Sequence, residues 1–86
     1  MYVVVTYDIV NEKQRNKLAK ELLQFGIRTQ KSFFECEVNK YEIKIIKQIV
    51  NRIVDKDDLV TIYYTNENKI QRIGDVKYLE IDDIVF

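Results

Sequence analysis

Ile45, Ile46, Ile49, Val50, Ile53 and Val54 recur at the i, i+1, i+4, i+5, i+8 spacing that puts apolar side chains on one face of a helix. Asn39-Lys40-Tyr41-Glu42, just before this stripe, has the form of a capping box, and Asp55-Lys56-Asp57-Asp58 closes it. The stretches around it follow a different rule. Residues 2–9 are an almost continuous, valine-rich apolar run, the pattern of a strand buried on both faces. Asn11-Glu12-Lys13-Gln14 is a second capping box. It leads into Leu18, Ala19, Leu22, Leu23 and Phe25 at helical spacing, with Gly26 where a left-handed helix stop is wanted. Residues 28–38, rich in Thr, Phe and Val, predict strand structure in two short pieces with a kink near Ser32. Residues 59–65 form another apolar strand, Asn66-Glu67-Asn68 a turn, 69–73 a further strand, and 78–86 alternate apolar and acidic residues like an edge strand.

The order strand, helix, strand pair, helix, strand predicts an α+β fold of the ferredoxin-like, split β-α-β kind. Such a fold is an antiparallel sheet with two helices on one face, here with an added C-terminal edge strand. The chain has no proline and two glycines, Gly26 and Gly74, so nothing reads as a linker and residues 1–86 are expected to form a single domain. A domain of this size buries only roughly two thirds of its unfolded surface, so pairing with a second copy would help. Leu79, Ile81 and Ile84 of the last strand are candidates for that pairing, and Tyr63 and Tyr64 read as sheet packing.

Composition removes several kinds of chemistry. There is no histidine, which excludes Ser-His and Cys-His nucleophile pairs and the commonest metal ligand. Cys36 is the only cysteine, so there is neither an internal disulfide nor a thiolate zinc cage, and a small buried hydrophobe is the expected role. Catalysis would then rest on carboxylates and a hard cation such as magnesium, with manganese as the alternative. No apolar run approaches a membrane span and no basic-then-apolar leader precedes Tyr2, which predicts a cytoplasmic location. The formal charge is zero but uneven: residues 1–34 carry six basic and three acidic side chains, and residues 75–86 carry one basic and four acidic. A local basic face suffices for phosphate contacts even in a neutral chain.

Tyr7-Asp8-Ile9 at the end of the first strand, the basic first turns of the helix after it, and Gln30-x-Ser32-x-Phe34-Glu35 resemble the small CRISPR-associated nuclease family. That family is the smaller partner in the spacer-acquisition complex, and the likeness spans essentially the whole chain. It implies a ferredoxin-like homodimer that hydrolyses phosphodiesters of RNA or DNA with a divalent metal, in spacer acquisition and antiviral defence. The alternative it implies is a non-catalytic DNA-binding scaffold that bridges subunits of the CRISPR integrase protein. Asp8 would be the catalytic, metal-binding carboxylate, two copies meeting in a cleft between protomers. Arg15, Lys17, Arg28, Lys31, Ser32 and Phe34 would contact nucleic acid. Phe33 stands where a smaller β-branched residue is usual in the family, and Lys17 where some members have arginine.

Each of these residues also has a plainer reading. Asp8 at a strand end could simply cap the loop that follows. The four cations could be solvated surface charges, Ser32 could satisfy local backbone, and Phe34 next to Phe33 could be core rather than a platform for a base. Tyr7 is expected in the core, on the face opposite Asp8. A ferredoxin-like toxin ribonuclease, or a regulatory domain that binds a small molecule, are further readings of the same pattern.

Overall fold

The computed structural model describes residues 1–74, in the order β1 (Tyr2–Asp8), α1 (Glu12–Leu22), β2 (Gly26–Gln30), β3 (Phe33–Glu37), α2 (Lys40–Ile53) and β4 (Leu59–Thr65), followed by a 3-10 turn at Glu67–Lys69. The four strands form one antiparallel sheet in the order β2-β3-β1-β4, the ferredoxin-like arrangement. β1 is therefore central, as its unbroken valines require. β1, however, is not buried on both faces. Val3, Val5 and Tyr7 are buried on one, while Tyr2, Val4, Thr6 and Asp8 lie on the other, half-buried except for the exposed Asp8.

Both helices cover the Val3–Val5–Tyr7 face. Leu18, Ala19 and Leu22 of α1 and Ile43, Ile46, Ile49, Val50 and Ile53 of α2 close one core with Phe34, Cys36 and Val38. Each helix starts where its side chains can take up free amides. The Asn11 Oδ1 accepts from the Gln14 amide, although Gln14 does not return the bond, and Asn39 and Glu42 form the complete reciprocal box. Asp57 takes a left-handed conformation (φ 72°) in the turn after α2, which short polar side chains tolerate.

Gly26 does not stop α1. The helix ends at Leu22 with Leu23 still right-handed at its cap, and Gly26 opens β2 instead. It is opposite Cys36, and a Cβ there would run into the Glu35 carbonyl oxygen and the Cys36 sulfur, so the absence of a side chain lets β2 reach β3. The kink near Ser32 is the Lys31–Ser32 turn between β2 and β3, with a register shift between Arg28 and Gln30. Residues 69–73 do not form the further strand; Lys69 closes the 3-10 turn, and residues 70–73 run without regular structure beside the open face. The edge strand at 78–86, with Leu79, Ile81 and Ile84, lies outside the described residues.

Tyr63 and Tyr64 are not packed inside the sheet. Tyr63 is 56% exposed on the open face beside Val4, and Tyr64 is 54% exposed at the β4 edge, where the Lys47 ammonium lies 5.7 Å from its ring centroid. No helix of the described residues is long and apolar enough to cross a membrane.

Candidate active site

Pleating puts Asp8 and Tyr7 on opposite faces of the sheet, as strand alternation demands. The Asp8 carboxylate is exposed, and no hydrogen bond or ion pair among the described residues engages it, so it does not cap the following loop. That task falls to Asp58, whose Oδ1 accepts from the Val10 amide (2.9 Å) and whose Oδ2 accepts from the Asp55 amide (2.9 Å). Asp58 pins the chain two residues beyond Asp8 to the turn that opens β4, and so leaves Asp8 unencumbered. Asp8 lines a shallow cleft on the open face with Thr6, Ser32, Phe33, Leu59 and Thr61.

Ser32 is brought there by a dense set of bonds behind it. The Tyr7 amide donates to the Ser32 carbonyl (3.2 Å), and the Tyr7 hydroxyl donates to the Lys31 carbonyl (3.1 Å). The Arg28 Nε donates to that same carbonyl (2.9 Å), its Nη2 donates to it as well, and Nη2 also reaches the Tyr7 hydroxyl (3.3 Å). Burial pushes the Tyr7 phenol above its ordinary pKa, the Arg28 guanidinium offsetting part of the rise, so the hydroxyl stays protonated and able to donate. The turn is thus stapled to the residue just before Asp8.

Arg28 is consequently not available to phosphate. It is 1% exposed, its guanidinium lies 5.5 Å from the centre of the Phe34 ring, and its Nη1 is buried without a hydrogen-bond partner among the described residues. The π-face of Phe34 accommodates a charge that no carboxylate among the described residues meets. Phe34 is fully buried and stacks near Tyr7 (centroids 6.2 Å apart), so it is core and cannot receive a base.

Arg15 is half-buried and its Nη1 donates to the Ile9 carbonyl (3.0 Å), one residue past Asp8. With the exposed Lys31 and Glu12 and the half-buried Ser32 and Asn16 it borders a second cleft of about 270 Å³, also lined by Arg28. Ser32 is the shared wall between this cleft and that of Asp8. Lys17 stands apart, exposed on the outer side of α1 and lining neither. Of the seven residues singled out from the sequence, the structure gathers Asp8, Ser32, Lys31 and Arg15 near one another, places Arg28 and Phe34 beneath them, and leaves Lys17 elsewhere.

Glu35 was not among them. It is 8% exposed on the open face, its Oε1 accepts from the Tyr2 hydroxyl (2.8 Å), and it pairs with Arg72 of the segment that passes over this face. A carboxylate between Phe34 and Cys36 in a strand was the signal available in the sequence; its partner, 37 residues away, was not.

A hard cation fits Asp8 in kind but not in number. The carboxylate offers unshared oxygen donors, yet no group of three or more His, Cys, Asp or Glu side chains converges among the described residues. Magnesium keeps several waters and accepts one or two carboxylates with substrate phosphate, so one chain supplies part of such a site.

Residues 1–73 match the family model described as "CRISPR associated protein Cas2". The chain is 37% identical over 73 residues to the "CRISPR-associated endoribonuclease Cas2 1" of Moorella thermoacetica, covering 78% of this chain and 76% of that one. It is 32% identical over 91 residues to the "CRISPR-associated endoribonuclease Cas2" of Thermus thermophilus, covering 99% and 97%. The crystal structure of Streptococcus pyogenes Cas2 superposes with a TM-score of 0.76 at 32% identity, over 86% of this chain and 100% of that one. A sheet order, an exposed acid at the end of β1 and a sequence match over most of the length agree, and the chain belongs to the CRISPR-associated Cas2 family.

Proposed function

We propose that this chain is a metal-dependent endonuclease of RNA or DNA that acts in CRISPR spacer acquisition and antiviral defence. In this reading it works as a homodimer, alongside the integrase protein. The observation that carries it is the state of Asp8: an exposed carboxylate, unengaged among the described residues, at the mouth of a cleft on the sheet face that the helices leave open. The endoribonuclease names of the relatives support the class of reaction.

Two Asp8 carboxylates, one from each protomer, would hold a magnesium or manganese ion, which when bound supplies Lewis acidity at the scissile phosphate and a more acidic attacking water. This chain's own part is to orient the strand. Ser32 offers a hydroxyl beside Asp8, and Lys31 and Arg15 offer charge in the adjoining cleft to a neighbouring phosphate. The second reading, a non-catalytic DNA scaffold bridging integrase subunits, is favoured by one observation, that a single chain contributes one carboxylate.

Labelled RNA and DNA incubated with the protein and with Asp8→Ala, with magnesium and with chelator, separate the two. Cleavage that falls on the order of a thousand-fold, about 4 kcal/mol of transition-state stabilisation, in the variant and in chelator supports the enzyme. Equal binding by both proteins without cleavage supports the scaffold.

A further inference from the structure

β1 ends at Asp8, whose pairing with Leu59 is the last rung of the β1–β4 ladder. Ladders fray at their ends, so the direction of a last side chain depends on what holds the residues after it. Only Ile9, Val10 and Asn11 separate Asp8 from α1. The Ile9 side chain is buried in the core, and its carbonyl accepts from Arg15 Nη1 (3.0 Å). The Val10 side chain is exposed and holds nothing; its amide donates to Asp58 Oδ1 (2.9 Å). Asp58 immediately precedes Leu59, so its carboxylate ties the residue two beyond Asp8 to the neighbour of Asp8's own cross-strand partner. A turn residue has no need of that reach. The 55–58 turn is closed within itself, the Asp58 amide donating to the Asp55 carbonyl (3.1 Å) and Asp58 Oδ2 accepting from the Asp55 amide (2.9 Å). The other oxygen leaves the turn and crosses 48 residues. Asp58 is not placed to hold a cation itself: it is half-buried, both its oxygens already accept from amides, and the Asp8 cleft is lined by other residues.

We infer that Asp58 is a positioning residue for Asp8, fixing the chain behind the acid so that its carboxylate presents one set direction to a divalent cation. The inference rests on the reading of Asp8 as a metal-binding carboxylate. A site that one chain fills only in part tolerates little play, because the remaining donors come from a second copy, from water and from substrate, and none of them follows a carboxylate that swings. Residues that orient a metal ligand without touching the metal are commonly worth roughly 10–100-fold in metal affinity or activity. Asp58 acts through the main chain, one step farther back than a hydrogen bond to the ligand itself, which puts its effect at the lower end of that range.

The test is manganese affinity, read from the free-ion signal in electron paramagnetic resonance, together with kcat and KM for cleavage of labelled RNA and DNA at saturating metal. The proteins compared are the wild type, Asp8→Ala, Asp58→Ala, Asp58→Asn and Val38→Ala, each well below its thermal midpoint. Val38 is buried near the opposite end of β1, its amide on the Met1 carbonyl (2.8 Å), so its truncation lowers stability without touching the residues after Asp8. Asp58→Ala is expected to weaken manganese binding about 10-fold and to lower kcat by a similar factor, with KM for nucleic acid unchanged. Asp58→Asn keeps one oxygen able to accept from the Val10 amide, so its values should lie between those of the wild type and Asp58→Ala. Val38→Ala should keep wild-type affinity and kcat. The proposal is overturned by wild-type values in Asp58→Ala, by equal losses in Val38→Ala, or by an Asp58→Asn variant no better than Asp58→Ala, which would make the charge and not the hydrogen bond decisive. If Asp58→Ala does not fold, wild-type values in Asp58→Asn overturn it. Failure of the Asp8 reading has a different signature: Asp8→Ala then binds manganese and cleaves as the wild type does, or the wild type does neither, and the role of Asp58 falls with it.

Discussion

Arg28 decides how the neighbourhood of Asp8 is held. Its Nε and Nη2 both serve the Lys31 carbonyl and Nη2 also serves the Tyr7 hydroxyl, so removing the guanidinium leaves that carbonyl with the Tyr7 hydroxyl as its one side-chain donor and takes a buried donor from the hydroxyl oxygen. Arg28→Gln is expected to lower stability by about 2–4 kcal/mol, read as a shift in the urea midpoint. Arg28→Lys should recover less than half of that, because a compact ammonium cannot span both partners. Tyr7→Phe should cost about 1 kcal/mol, and the double variant less than the sum, since the two side chains share one network. An unmoved urea midpoint in Arg28→Gln, with a nucleic-acid salt slope lowered by about one, would mean that the guanidinium swings out to phosphate after all. Cys36 makes a different test. It is fully buried, and burial pushes its thiol up to about 11. The native state therefore holds a proton that the unfolded chain releases above about pH 9, where an exposed thiol titrates. The sign follows: this contribution is complete below that pH and is lost as pH rises through the folded value. Cys36→Ala should flatten the fall in stability between pH 9 and 11 by roughly 2–3 kcal/mol, measured as the pH dependence of the urea midpoint.

At the scale of elements, β2 depends on a close approach that its neighbours make compulsory. Gly26→Ala would normally stabilise an extended position by about 0.4–1 kcal/mol through the unfolded chain. Here the new methyl meets the Glu35 carbonyl and the Cys36 sulfur, and β2 has to move away from β3. A net loss of about 1–3 kcal/mol is expected in thermal or urea unfolding; a gain would show that β2 is free to shift. The same glycine marks how far the sequence could be read. The stripe from Ile43 to Ile53 and its Asn39 cap declared α2 outright, because amphipathic period and capping are local properties. Gly26 followed an apolar helix, and a helix stop and a close strand contact call for the same residue; only the pairing with Cys36 distinguishes them. Arg28 and Phe34 went the other way. Phe34 lies in the motif that carries the family likeness and Arg28 two residues before it, where an arginine reads as surface, yet they face each other across β2 and β3 on the side the helices cover. Asp8 was legible because an exposed acid at the end of a buried run is a local anomaly, whereas the Asp58 bonds that keep it free cross 48 residues.

Among the described residues one sheet face is covered by the helices and the other is left open by them, and the open one carries Ile27, Phe33, Leu59 and Tyr63, all exposed. The cross-strand register puts Leu59 directly opposite Asp8 and Tyr63 opposite Val4, so the apolar surface and the acid share one plane. Docking of a second copy on that plane would bury the apolar side chains and bring the two acids toward a common seam. Mass action then demands that the thermal midpoint of the protein rise with concentration, since the dimer alone benefits from dilution's reverse. Leu59→Lys puts a charge on that plane and should weaken dimerisation by on the order of 10–100-fold, about 1.4–2.8 kcal/mol, in sedimentation equilibrium. If the metal site needs both protomers, total cleavage by Leu59→Lys should become second order in protein at low concentration, and cleavage per subunit should recover as the dimer refills. A wild-type protein that sediments as a monomer at every concentration and still cleaves at full rate would confine the reaction to one chain, and one Asp8 carboxylate would then have to suffice.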